Sequence, residues 1–193
     1  MEVPKATAPV AGTVPQTSAR KGKSTMGAID NLPKRNVIYQ GIYEGLGYDA
    51  LVEKYNNLFL AGRGEYLGRD QECAALPQAL TDVGYTGRWA PGPRVIDLDF
   101  LIPGTVIANF KSVNGKPKFP NQNGRHVGLF DQFRRGAMMV NGLPCAFSMF
   151  DQFHGKPAGL RGVAILTPEW KRANARYGTP SNDAAEFFVV VVP

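Results

Sequence analysis

The sequence predicts an α+β fold in which helices come first and a mainly antiparallel β-sheet follows. Residues 49–60 carry apolar side chains at helical spacing, with Asp49 as a candidate N-cap. After Trp89 the chain changes to short apolar runs separated by Gly, Pro and Asn turn signals, which is typical of strands. Asn141-Gly142 lies between two of these runs and predicts a β-hairpin.

The remaining elements follow the same patterns. A short helix is predicted in CAALPQAL (73–80), where Pro77 is tolerated only near the first turn. Residues 111–125 have the composition of a polar loop, and residues 168–178 of a short helix or loop. The predicted strands are IDLDFLI (96–102), PGTVIANF (103–110), HVGLFDQF (126–133), AMMV (137–140), LPCAFSMF (143–150), RGVAILT (161–167) and EFFVVVV (186–192).

Composition excludes several classes of protein. The chain has 193 residues, 44% of them hydrophobic and 20% charged, which are ordinary values for a globular protein. There is no apolar run long enough for a membrane-spanning helix, and no signal peptide is visible, so we expect no integral membrane association. Two cysteines exclude a disulfide scaffold.

The net charge of +6 is concentrated near the N-terminus. Residues 1–35 hold six basic and two acidic side chains and are rich in Pro, Ala, Thr and Ser, which predicts a flexible basic leader. Residues 36–193 form the predicted folded domain and are nearly neutral, with 16 basic and 14 acidic side chains. Because no basic stripe with interleaved aromatic residues is present in this domain, nucleic-acid binding is kept only as an alternative.

Cys73 is the candidate nucleophile. It follows a polar stretch and begins the predicted second helix. The positive end of a helix dipole lowers the pKa of a thiol and favours the nucleophilic thiolate. The alternative is a small buried hydrophobic residue, and Cys145, inside a predicted strand, fits that alternative better.

His126 is the candidate general base. It opens a predicted strand, so we expect its ring to lie partly exposed at the rim of the sheet. Asp151 and Gln152 are predicted to end a later strand, where a carboxylate or an amide could accept a hydrogen bond from the other ring nitrogen. His154 is interpreted as a surface or substrate-loop residue.

Five segments, taken in order, carry a resemblance to a known family. They are ECAAL (72–76), WAPG (89–92), GTVIANF (104–110), GRHVGLF (124–130) and FDQF (150–153). The resemblance extends over about half of the chain, from about residue 63 to residue 153. The pattern resembles the papain-like peptidoglycan cysteine hydrolases of the NlpC and CHAP groups, and within them the type VI secretion amidase effectors. The resemblance implies a papain-like domain whose N-terminal helices carry the cysteine and pack on the antiparallel sheet.

The resemblance also implies catalytic roles for individual residues. Cys73 is the expected nucleophile, and His126 acts first as general base and then as general acid. Asp151 is expected to orient the imidazole, with Gln152 as the reserve candidate for that role.

Further residues are expected around the reacting amide. The backbone N–H of Cys73 would stabilise the oxyanion, assisted by the side chain of Tyr66 or Gln71. Trp89 and Phe153 would line the substrate groove.

The expected function is therefore hydrolysis of amide bonds in bacterial peptidoglycan stem peptides. A protein of this kind is expected to be exported without a visible signal peptide, to act in the periplasm of a target bacterium and to have a cognate immunity protein; otherwise it is cytoplasmic. A catalytically inactive papain-like or other β-rich binding module remains the alternative from a different class. Neither the two histidines nor the two cysteines have metal-ligand spacing, and no dinucleotide or phosphate-binding glycine motif is present, so no metal and no cofactor are expected.

Overall fold

The computed structural model describes residues 34–120 and 124–193. The helices are Tyr48–Leu60 (α1), Ala75–Leu80 (α2) and Pro168–Ala173 (α3). The strands are Arg35–Asn36 (β1), Ala90–Arg94 (β2), Val106–Asn109 (β3), Lys111–Val113 (β4), Lys116–Lys118 (β5), Val127–Phe133 (β6), Met139–Val140 (β7), Leu143–Phe153 (β8), Lys156–Ala164 (β9) and Phe187–Val192 (β10). The predicted leader lies outside the described residues up to residue 33, and its last residue, Arg35, belongs to β1.

The main sheet confirms the predicted antiparallel arrangement. Its strands run in the order β1–β10–β3–β6–β8, and β9 pairs along most of β8. β2 also pairs with β10, β7 pairs with the beginning of β8, and each of these strand pairs is antiparallel. β4 and β5 form a separate hairpin. The fold is α+β, as predicted.

Both faces of the sheet are covered by apolar side chains. One core lies between the helices and the sheet and contains Leu51, Tyr55 and Leu76 from the helical side. The other face packs Phe147 and Phe187 into a second cluster. Alternate residues of β3 divide between the two cores, because successive side chains of a strand point to opposite faces.

Helix α1 approaches β9 closely. Its N-cap is Gly47 and not Asp49. Asp49 lies in the first turn, where its carboxylate interacts favourably with the positive end of the helix dipole. A Cβ atom at Gly159 would lie 3.0 Å from the Phe59 ring, which is closer than an ordinary contact, so a larger residue would require that ring to shift by a few tenths of an ångström. Asn56 of α1 accepts a hydrogen bond from the Leu160 backbone at 3.0 Å.

Two segments differ most from the prediction; in addition, β9 spans Lys156–Ala164, where a strand was predicted over residues 161–167. Residues 96–102 form no strand: Val95–Asp97 is a 3₁₀ turn, stabilised by an ion pair between Arg94 and Asp97 at 3.2 Å, and Phe100 is exposed. Because the chain turns at 95–97, these residues do not pair with another strand. Pro103, which follows them, also lacks the backbone N–H that a β-ladder requires. Within the polar loop predicted at 111–125, residues 111–118 form the β4–β5 hairpin. Its Asn114-Gly115 turn has two positive φ angles, which is the geometry that favours this pair.

In the described ranges, no helix is long and apolar enough to cross a membrane. Across the same ranges, no three His, Cys, Asp or Glu side chains are grouped as metal ligands would be.

Candidate active site

Cys73 lies in the turn that leads into α2. The helix is six residues long, its N-cap is Ala74, and Pro77 falls in its first turn, where the missing N–H costs no intrahelical bond. Cys73 is half-buried and packs against the core between helices and sheet. The turn before the short helix therefore holds the Cys73 thiol at the edge of this core.

Gln152 fixes the loop that precedes Cys73. Its buried side-chain oxygen accepts a hydrogen bond from the Leu67 N–H at 2.7 Å. Its amide nitrogen donates to the carbonyls of Leu67, Asp70 and Glu72 at 2.9, 3.1 and 3.2 Å. These bonds direct the amide group of Gln152 to the loop, whereas Asp151 is the residue that contacts the His126 ring, so Gln152 does not occupy the position of the reserve orienter. It positions the loop that carries Cys73.

His126 directly precedes β6, and its backbone is fixed by Asn109 of β3. The His126 N–H donates to Asn109 Oδ1 at 3.1 Å, and the Asn109 N–H donates to the His126 carbonyl at 3.0 Å. The residue is 4% exposed, so the prediction of a partly exposed ring is wrong. The Phe153 ring packs edge-on against the imidazole, with centroids 5.7 Å apart, and this contact and the sheet bury it.

Asp151 binds the imidazole from the interior of β8, two residues before the end of that strand. Its Oδ2 lies 2.8 Å from His126 Nε2. The carboxylate is fully buried and receives two further charged donors, Arg161 Nε at 2.7 Å and Lys156 Nζ at 2.9 Å. Asp151 is thus the centre of a buried cluster of one anion, two cations and one imidazole.

The charges of this cluster determine the tautomer of His126. Burial by itself would raise the pKa of Asp151, but Arg161, His126 and Lys156 outweigh it and hold that pKa well below its usual range. Burial lowers the pKa of His126, and the attraction of Asp151 opposes this only in part. A neutral imidazole facing an ionised carboxylate carries its proton on Nε2, so Nδ1 is left as a proton acceptor.

Burial favours the neutral form of the Cys73 thiol. Burial raises the pKa of Cys73 to about 11, although hydrogen bonds from the Val127 and Ala74 backbone to the sulfur lower it. The prediction that the helix start depresses this pKa is therefore wrong. The desolvation of the half-buried thiol outweighs the hydrogen bonds from the Val127 and Ala74 backbone, and the carboxylates of Glu72 and Asp151 add to the rise. The environment thus favours a neutral thiol at Cys73 and a neutral imidazole at His126.

Cys73 and His126 open into the same cavity, which has a volume of about 620 Å³. The hydrogen bond from the Val127 backbone places the sulfur beside the residue that follows His126. Phe153, 39% exposed, and His154 line the cavity. The cavity thus gives a ligand access to both the sulfur and the imidazole.

Three of the predicted site residues lie elsewhere. Trp89 is 3% exposed and packs in the core; its indole N–H donates to the Val83 carbonyl at 3.0 Å. It does not line the groove, because its ring is covered by Phe119, with centroids 5.0 Å apart. Tyr66 is half-buried and Gln71 exposed, and neither lines the cavity.

The sequence reasoning missed Lys156 and Arg161. Lys156 follows Asp151 across the tight turn between β8 and β9, and Arg161 pairs with Met149, two residues from Asp151 on β8. Diagonal neighbours across a hairpin lie within reach of long side chains. The register of the β8–β9 hairpin would have identified both cations.

No protein-family model matches the sequence, and no curated protein matches it. A solved structure described as type 6 secretion amidase effector 2 (Tae2) is similar to this fold, with a TM-score of 0.51 and 25% sequence identity. The similarity covers 67% of this chain and 86% of the Tae2 chain. The chain is therefore an α+β protein with a mostly antiparallel sheet and a distant structural relationship to Tae2.

Proposed function

We propose that this protein is a cysteine amidase that hydrolyses peptide amide bonds in bacterial peptidoglycan. The observation that carries the proposal has two parts: Asp151 Oδ2 contacts His126 Nε2 at 2.8 Å, and Cys73 lines the same cavity as His126. The distant similarity to an amidase effector supports the reaction class. Peptidoglycan as substrate, and the papain-like arrangement, rest on the resemblance of the five sequence segments.

The proposed reaction begins from a neutral thiol and a neutral imidazole. His126 Nδ1 takes the proton of Cys73 as sulfur attacks the carbonyl carbon of the substrate, so the thiolate need not accumulate. The backbone N–H groups at the turn entering α2 stabilise the oxyanion. The imidazolium then donates its proton to the leaving amine, and the acyl group remains on sulfur as a thioester. Water, deprotonated by the same imidazole, hydrolyses the thioester.

Asp151 supports both halves of this cycle. It holds the Nε2–H tautomer while His126 accepts a proton, and it stabilises the imidazolium that follows. Lys156 and Arg161 keep the carboxylate ionised inside the protein. Their charges also oppose protonation of His126, so the imidazolium is a good proton donor to the leaving amine.

We also propose that the protein is a secreted antibacterial effector with a cognate immunity protein as its partner. Both the resemblance of the segments and the structural similarity to a type 6 secretion amidase effector support this role. The site of action would then be the periplasm of the target bacterium.

Digestion of purified sacculi tests the proposal. Wild-type protein is expected to release new muropeptides whose masses identify the cleaved amide, and Cys73→Ala is expected to release none. The matched control is Cys145→Ala: Cys145 is the other thiol, buried in β8 with its sulfur donating to the Phe147 carbonyl at 3.2 Å, and its loss should leave the products unchanged. Identical products from wild type and Cys73→Ala would refute the mechanism.

A further inference from the structure

Arg125 directly precedes His126 and lines the same cavity. Its backbone is held on both sides. The carbonyl of Gly124 accepts a hydrogen bond from Ser181 N–H at 3.2 Å, and the N–H of His126 donates to Asn109 at 3.1 Å. Consecutive Cα atoms lie about 3.8 Å apart, so the base of the Arg125 side chain is fixed next to the general base.

The guanidinium of Arg125 has unused hydrogen-bonding capacity. Its Nη1 is buried and has no hydrogen-bond partner within residues 34–120 and 124–193. The other arginine of the cavity, Arg161, is different: it donates to Asp151 at 2.7 Å and to the Ser181 carbonyl at 3.1 Å. A buried donor of a charged group without a partner is costly, so this site favours a ligand that supplies an acceptor.

The chemistry of that acceptor follows from the donor. A guanidinium presents N–H groups in a planar fork that matches the two oxygens of a carboxylate. Glu72 is the acidic side chain of the cavity wall, but it is exposed and forms no ion pair with Arg125 among the described residues. A carboxylate supplied by the ligand therefore fits this donor.

We propose that Arg125 binds a free carboxylate of the substrate close to the amide bond that Cys73 attacks. This inference rests on the proposed function and narrows its substrate class. The enzyme selects peptides in which a carboxylate lies within about one residue of the scissile amide. Peptides carry such a group at a C-terminus, or at an acidic residue that is linked to its neighbour through its side chain.

Matched substrates test the carboxylate site. The probes are a synthetic crosslinked pair of stem peptides and a series of derivatives, each with one free carboxyl group converted to the carboxamide. For wild type, one conversion is expected to lower kcat/KM about 10- to 100-fold, the range of a charge-assisted hydrogen bond. For Arg125→Gln the same conversion should change kcat/KM less than about threefold, because no guanidinium remains to distinguish the two groups.

Two further variants serve as controls. Arg125→Lys keeps the charge without the fork and should give an intermediate preference; it replaces Arg125→Gln if that variant is unfolded by circular dichroism. Arg172→Gln removes an exposed arginine of α3, paired with Glu169 at 3.1 Å, and should keep the wild-type preference.

A binding measurement separates this inference from the proposed function. Calorimetry with Cys73→Ala should give tighter binding of the carboxylate probe than of its carboxamide, and Cys73→Ala/Arg125→Gln should remove that difference. If wild type cuts no probe but the binding difference depends on Arg125, the proposed function fails and the carboxylate site stands. If wild type cuts every probe equally well, the carboxylate site is overturned and the proposed function stands.

Discussion

Replacing Asp151 by Asn removes the one anion of the buried cluster and keeps the shape of the side chain. In the wild type its fully buried carboxylate receives donors at 2.7, 2.8 and 2.9 Å. Two of the donors are cations with little exposure, Lys156 at 13% and Arg161 at 18%. The substitution leaves both without a counter-charge and places an amide N–H₂ where a proton acceptor is needed.

The expected loss is large. Removing one partner of a buried ion pair costs about 3–5 kcal/mol, so the free energy of unfolding of Asp151→Asn at pH 7 should fall by about that amount. Hydrolysis should fall about 10²- to 10⁴-fold, since the imidazole loses the group that selects its tautomer. Lys156→Met added to Asp151→Asn should restore part of the stability, because it removes an uncompensated buried cation.

Urea unfolding followed by tryptophan fluorescence measures the effect at several pH values. The folded pKa of Asp151 is depressed, so its contribution to stability is complete above its unfolded pKa of about 3.9 and is lost as pH falls through the folded value. The difference between wild type and Asp151→Asn should therefore shrink below about pH 4. Asp82→Asn is the control: it removes an exposed ion pair with Arg35 and should cost under about 1 kcal/mol. A fully stable Asp151→Asn at pH 7, or a difference that does not change in acid, would refute the reasoning.

Four other substitutions test the rest of the site. The folded pKa of His126 lies below its unfolded value of about 6.5, so the free energy of unfolding of wild type should fall as pH falls through 6.5 towards the folded value. The free energy of unfolding of His126→Gln should lack this pH-dependent decrease. Equal pH profiles for the two proteins would contradict a buried neutral imidazole. Gln152→Leu should cost about 2–3 kcal/mol and speed amide hydrogen exchange in residues 67–72, and unchanged exchange there would contradict its positioning role. Phe153→Ala should raise KM with little loss of stability, because Phe153 lines the cavity. Trp89→Ala should lower the free energy of unfolding by about 3–5 kcal/mol in thermal unfolding, because Trp89 lies in the core. The reverse pattern would indicate that Trp89, and not Phe153, lines the substrate groove.

The order of elements could be predicted because it depends on local patterns. The helical spacing of residues 49–60 and the Asn141-Gly142 turn are properties of short segments, and the structure confirms both. The alternation of apolar and polar residues in 96–102 led to a wrong prediction, because such alternation shows only that a segment is sterically suited to a strand. A strand also needs a partner, and the partner is set by the packing of distant segments.

Sequence motifs identified Cys73, His126 and Asp151 as candidates, since nucleophile, base and carboxylate are chemical types that can be read from the chain. Only the tertiary structure decided their environment. Burial depends on the whole fold, and it raised the pKa of the Cys73 thiol where a helix start alone would lower it. Likewise, the register of the β8–β9 hairpin, and not any motif, brought Lys156 and Arg161 onto Asp151. Residue type is a property of the sequence, whereas desolvation and charge proximity arise only when segments far apart in the chain pack together.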